Sequence, residues 1–187
     1  MSDNDIYNGA LFIVGERAIL DVEGSTSKPA ILLKRLYPIL RDEVLAEHPW
    51  RFAAKRAALA PSGTSPEWGF TYLFTYPSDW IRLIKVQDSA SHKTAEGGIL
   101  ANDNPLYIEY VYRCKIAAMY SPEFCGLLKL RIAKEICIPL TNDKELLDRI
   151  SSDYEKSRRK ATFVSASQTS DDEEQEESEG PWLDVRV

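Results

Sequence analysis

The hydrophobic period of this chain changes twice, near Pro49 and near Ser121, and that constrains its fold more than any other feature. Before Pro49 and after Ser121 apolar residues recur at three- and four-residue steps, the mark of a helix buried on one face. Between them aromatic and β-branched residues alternate with polar ones, as in half-buried strands. Helices and strands that occupy separate stretches predict an α+β fold rather than alternating βαβ units. The expected architecture is a helical bundle body, a small antiparallel β-sheet lobe and an extended acidic C-terminal tail.

Four helices are expected, near 5–15, 28–47, 121–138 and 142–165. The first has Ile6, Ala10, Ile13 and Val14 at helical spacing and closes at Gly15. In the second, Ser27 is a natural N-cap and Pro29 suits the first turn. Leu32, Leu36, Ile39, Leu40 and Val44 then form one face, and Pro38 should kink or divide the helix. The third opens on Ser121, Pro122 and Glu123, buries Phe124, Leu127, Leu128, Ile132 and Ile136, and should stop at Pro139. The fourth begins with Asn142 and Glu145 in the capping-box relation and buries Leu146, Leu147, Ile150 and Tyr154.

The sheet lobe should occupy about 50–113. RFAAKRAALAP reads as extended and FTYLFTYP as a strand. Pro77, Ser78 and Asp79 make a turn, after which Trp80, Arg82, Ile84 and Val86 are expected on one face of the next strand. SASHKTAEGG reads as a loop, and two more strands flank a turn at 102–105.

Charge separates the tail from the rest. Residues 171–187 hold eight acids and one base, leaving 21 acids and 22 bases in the first 170 residues. An electroneutral body lacks the basic balance of a dedicated duplex-binding protein. DDEEQEESEG holds no apolar residue, so 168–187 is expected as a flexible tail beyond a 1–167 domain. Its end, PWLDVRV, is apolar again, and Trp182, Leu183, Val185 and Val187 read as a docking element, with Val185 and Val187 at strand spacing. The acids of MSDNDIYNG argue against export, no apolar run approaches the ~20 residues of a membrane span, and synthesis in a reducing cytoplasm is expected.

The residues offer no catalytic constellation. Cys114, Cys125 and Cys137 include no CxxC pair and read as small core residues. His48, at a helix end beside Pro49 and Trp50, suits a cap or packing role, and His92 suits a polar loop. Neither has the partners of a metal site or a triad. Gly97-Gly98 lacks the helix and Lys-Ser/Thr of a phosphate loop. Asp79 with Arg82 or Asp103 is the one enzymatic alternative, and turn chemistry explains Asp79 better. Arg158, Arg159 and Lys160 read as a solvated last turn rather than a nucleic-acid patch. No enzyme, no cofactor and no metal are expected.

Three stretches, HPWRFAAKRAAL, FTYLFTYPSDWIRLIKV and LLKLRIAKEICIPLTNDKELLDRISSDYEKSRRKA, carry a resemblance in their order and spacing. Together they resemble the tail tubular protein A family, the head-to-tail adaptors of short-tailed phages, over roughly 5–165. In that family a Trp and a Phe follow the long helix, as Trp50 and Phe52 do. A turn built on Tyr, Pro, Asp and Arg comes next, matched in form by Tyr76, Pro77, Asp79, Trp80 and Arg82. The acidic spacer matches no family feature, and the first helix is weakly marked.

The resemblance implies a structural protein of the virion neck. It implies a homo-oligomeric ring of about twelve copies beneath the portal protein. The tail nozzle, similar to tail tubular protein B, attaches below. Genomic DNA passes through the lumen without sequence-specific binding, and no membrane is involved. The resemblance makes the portal or a neighbouring subunit the partner of Trp182, Leu183, Val185 and Val187, and Pro77, Asp79, Trp80 and Arg82 a structural turn of the lobe. The alternative is a regulatory or scaffolding protein whose acidic tail engages a basic partner.

Overall fold

The computed structural model describes residues 1–87, 91–95 and 97–178, with side chains as far as residue 163. The fold is α+β, with helices α1 (Asp3–Ile13), α2 (Lys28–Glu47), α3 (Pro122–Thr141) and α4 (Lys144–Ser178). Between α2 and α3 lie strands β1 (Ala54–Leu59), β2 (Tyr72–Thr75), β3 (Trp80–Val86), β4 (His92–Ala95), β5 (Gly98–Ala101) and β6 (Leu106–Tyr112). The chain divides into two compact units. One holds Met1–Asp5 and Lys34–Ser121, the other Ile6–Leu33 and the chain from Pro122 onward, so α2 is shared.

The first unit contains two three-stranded antiparallel sheets, ordered β1-β6-β3 and β2-β5-β4, where one sheet was expected. The stretch read as a loop supplies β4, whose His92–Ala95 pair with Gly98–Ala101. The sheets enclose a core of Phe74, Val86, Ile99, Ala101, Leu106, Ile108 and Tyr110. Gly98 is obligatory there, because a Cβ would lie 2.2 Å from the Phe74 carbonyl oxygen.

The expected face of β3 is wrong in a specific way. Its register against β6 shifts between Trp80 and Arg82 and again between Leu83 and Lys85. Each shift inserts one residue and turns the strand over, so two bulges convert a period of two into three. Trp80, Leu83 and Val86 therefore meet the core, while Arg82 is exposed.

In the second unit α1 and α3 approach closely, with the Lys129 stem lying over Gly9. α1 ends in a Schellman motif. Gly15, at φ +79°, donates to the Phe12 carbonyl, and Glu16 donates to that of Leu11. Asn8 pins the following loop through both of its amide atoms, accepting from the Ile19 N–H and donating to its carbonyl. Phe124, Leu127, Leu128, Ile132 and Ile136 of α3 are all buried, as the spacing predicts. α3 and α4 pack as a helical hairpin, and Ile150 and Tyr154 of α4 are buried while Leu146 and Leu147 are half-buried.

Several helix signals resolve differently from the sequence reading. Pro38 does not divide α2, and the buried face there is Leu33, Tyr37, Leu40, Arg41 and Val44, with Ile39 exposed. Pro139 does not end α3. The helix continues to Thr141 and closes at Asn142, whose φ of 54° and N–H bond to the Ile138 carbonyl make a left-handed cap. The Lys28 ammonium donates to the Pro139 carbonyl in that last turn. The N-cap of α4 is consequently Asp143, whose carboxylate accepts from the Leu146 N–H at 3.0 Å, and not Asn142. α4 itself runs past the expected end near 165 to Ser178. Glu, Gln and Ser fill this stretch, and no Gly or Pro interrupts it before Gly180.

Candidate functional site

The turn that the resemblance singles out is the most densely bonded feature of the strand-bearing unit. The Trp80 N–H donates to the Pro77 carbonyl at 3.0 Å, closing the turn, and the Asp79 carbonyl accepts from the Arg113 N–H at 2.7 Å just beyond β6. The Asp79 carboxylate is divided between two partners. Oδ2 receives the Lys55 ammonium of β1 at 2.9 Å, and Oδ1 accepts from the Tyr110 hydroxyl of β6 at 2.9 Å. One short turn thus holds all three strands of its sheet.

Aromatic stacking completes the arrangement. The Trp80 ring lies between Tyr76, with centroids 4.5 Å apart, and Tyr110, at 5.4 Å, both nearly parallel to it. Lys55 also sits 5.7 Å from the Tyr112 ring centroid, a cation–π distance. Arg82 donates to the Ala46 carbonyl near the end of α2 at 2.9 Å. Pro77, Asp79, Trp80 and Arg82 therefore each have a structural task, and the Asp79 carboxylate bonds Lys55 and Tyr110 rather than Arg82 or Asp103.

The electrostatics agree with a holding role. Burial raises the Asp79 carboxyl, but the bonds from Lys55 and Tyr110 outweigh it and leave the group below its ordinary value. The bond to Asp79 holds the exposed Lys55 ammonium above its usual range. Burial, followed by the bond to Asp79, pushes the Tyr110 phenol up.

A second polar cluster escaped the sequence reading. Asp42 accepts from the nearly buried Arg41, at 2.7 Å and 3.0 Å, and from Arg113 Nε at 2.6 Å. Next to it the Tyr37 hydroxyl donates to Asp3. Burial and then that bond raise the Tyr37 phenol, and burial lifts Tyr120 to about 12. Arg41 follows Tyr37 by four residues on the buried helix face, the one local sign that it faces inward.

His48 packs edge-on against Trp50, with centroids 5.3 Å apart, the packing role expected of it. Burial, and then the charge of Arg82, lowers its pKa. His92 opens β4 and is exposed. The three cysteines are buried thiols. Arg158 pairs with Glu155 on the exposed side of α4. Among the described residues no cluster of three His, Cys, Asp or Glu could hold a metal, and no helix is long and apolar enough to cross a membrane. Trp182, Leu183, Val185 and Val187 lie outside the described residues.

Large apolar side chains nevertheless reach the surface. Trp68, Ile116 and Met119 are exposed in one unit, and Phe12, Leu20 and Phe163 in the other. No protein-family model matches the chain, and no curated protein matches it by sequence.

Proposed function

We propose that this protein is a structural head-to-tail adaptor of a tailed phage, similar to the tail tubular protein A family. In this reading it forms a ring under the portal, extends the DNA channel and presents a lower surface to the tail nozzle. It works by shape and contact rather than by catalysis. The observation that carries the reading is the order of elements: a short helix, a long helix, a strand lobe held by the Tyr76-to-Arg82 turn, then a helical hairpin. The exposed Trp68, Ile116 and Met119 add support, since aromatic residues and Met are enriched where subunits meet.

The test is assembly. The full chain is mixed with the portal protein encoded in the same genome, and the product is followed by sedimentation and negative-stain imaging. The expected product is a portal bearing a second ring of about twelve small subunits. A chain that stays small beside intact portal rings overturns the proposal in favour of a regulatory or scaffolding role.

A further inference from the structure

The last carbonyls of a helix have no partner within it and must find one elsewhere. At the end of α2 two side chains from later in the chain supply them. The Trp50 indole N–H donates to the Val44 carbonyl at 2.9 Å, in the interior. Arg82 of β3 donates to the Ala46 carbonyl at 2.9 Å, and that bond lies at the surface. Helix end and strand belong to the same compact unit, so Arg82 fastens one to the other.

His48 stands at this junction, one residue beyond α2. Its ring packs edge-on against Trp50, and its backbone carbonyl accepts from the Trp50 N–H at 2.9 Å. The ring's Nε2 is buried and meets no hydrogen-bond partner among the described residues. A neutral ring tolerates that place. A protonated ring carries an N–H on both nitrogens and needs an acceptor for each. Burial, and after it the charge of Arg82, disfavours the proton. Arg82 is the charged group that bears on the ring; Glu47 and Arg51, its neighbours in sequence, are exposed.

We propose that His48 is an acid-operated latch: on taking up a proton its ring displaces Arg82 from the Ala46 carbonyl and frees β3 from the end of α2. Solvation decides which of the two cations yields. Arg82 is exposed and can swing into water, whereas the His48 ring is half-buried and held against Trp50. The negative end of a helix attracts cations, so the imidazolium takes over at α2 the role that Arg82 gives up.

The release is local. Asp42 of α2 remains bonded to Arg113 at 2.6 Å, and the Asp79 turn keeps its bonds to Lys55 and to the Arg113 N–H. Acid therefore loosens β3 from the helix end without opening the lobe. The coupling is reciprocal: a seated Arg82 opposes protonation of His48, so removing its charge eases it. The latch is independent of the proposed adaptor role and stands whether or not a ring forms.

The test is an NMR titration of the isotope-labelled full chain from pH 7.5 to 5.0, following the His48 ring, the Trp50 indole N–H and the Arg82 side chain. One shared midpoint below 6.5 is expected for His48 and Arg82. His48→Gln should leave the Arg82 signals unmoved over this range. His92→Gln, which alters the chain's other histidine, should leave the transition in place. Arg82→Gln, at an exposed position, removes the charge and should raise the His48 midpoint toward 6.5. Arg82 signals that stay still while His48 titrates, or a His48 midpoint unmoved by Arg82→Gln, overturn the latch, and both can be read even if His48→Gln does not fold. Arg82 signals that move equally in His48→Gln overturn it as well, by assigning the transition to another group.

Discussion

Replacing Asp79 with alanine tests whether the turn holds its sheet as the geometry implies. Tyr110 is 1% exposed, and its hydroxyl donates to Asp79 Oδ1 at 2.9 Å. Alanine leaves that hydroxyl without its acceptor, and an orphaned buried donor costs about 1–3 kcal/mol. The Lys55 pair adds little, because its side chain is 51% exposed and such pairs contribute about 0–1 kcal/mol. A central loss of about 2 kcal/mol lowers the melting temperature by about 4–8 °C in a chain of this size.

The assay is thermal melting followed by near-ultraviolet dichroism, which reports the Trp80 ring between Tyr76 and Tyr110. The decisive comparison uses Tyr110→Phe. In that background Asp79→Ala removes only the Lys55 pair and should cost about 0–1 kcal/mol. An equal cost in both backgrounds refutes the hydrogen-bond account. Acidity supplies a second check, because the folded Asp79 carboxyl titrates below its ordinary value of 3.8. Its stabilisation is complete above that value and is lost as pH falls through the lower folded one. The gap between parent and variant should hold from pH 7 to 5 and close only in strong acid.

Gly98→Ala should prevent the lobe from folding, since its Cβ would meet backbone 2.2 Å away; parent-like near-ultraviolet dichroism in this variant would show that β2 and β5 can part. Leu128→Asp or Ile132→Asp should unfold the helical hairpin, because an unpaired charge at a fully buried position costs several kcal/mol. An unchanged melting temperature in either would mean that α3 is buried on another face. His48 is held below its ordinary pKa of 6.5, so its contribution is complete above that value and declines as the pH falls toward the folded one. The parent should lose stability between pH 7.5 and 5.5, and His48→Gln should lose less; identical pH profiles would contradict the burial of that ring.

The sequence was most legible where one local rule acted alone. α3 carries its apolar residues on one stripe, and every residue expected inside is there. Gly15 was readable because only a left-handed residue closes a Schellman motif easily. α2 was harder. Ile31, Leu32, Leu33, Leu36, Ile39 and Leu40 surround much of the helix, so spacing offers two faces and packing chooses between them. Pro139 was read as a stop because its missing N–H breaks the ladder, yet it sits in a last turn that ends two residues later. The polar network was beyond local reading, since Asp79 lies 24 residues from Lys55 and 31 from Tyr110.

β3 shows what such failures have in common. Trp80, Leu83 and Val86 recur at steps of three, which fits neither a flat strand nor the expected alternation, and only pairing with β6 reveals two bulges. The same bulges protect that edge of the sheet while the Asp79 turn fixes the strand's beginning. Tyr76, Pro77, Asp79 and Trp80 thus answer to the needs of the lobe, whose strands they hold, and Arg82 bonds the Ala46 carbonyl of α2. A protein that shared the lobe and not the ring would need them equally. If the proposed adaptor reading holds, the surfaces that serve assembly lie where side chains are not so occupied, at the exposed Trp68, Ile116 and Met119. Substitutions there should alter assembly and spare the melting temperature, and substitutions in the turn should do the reverse.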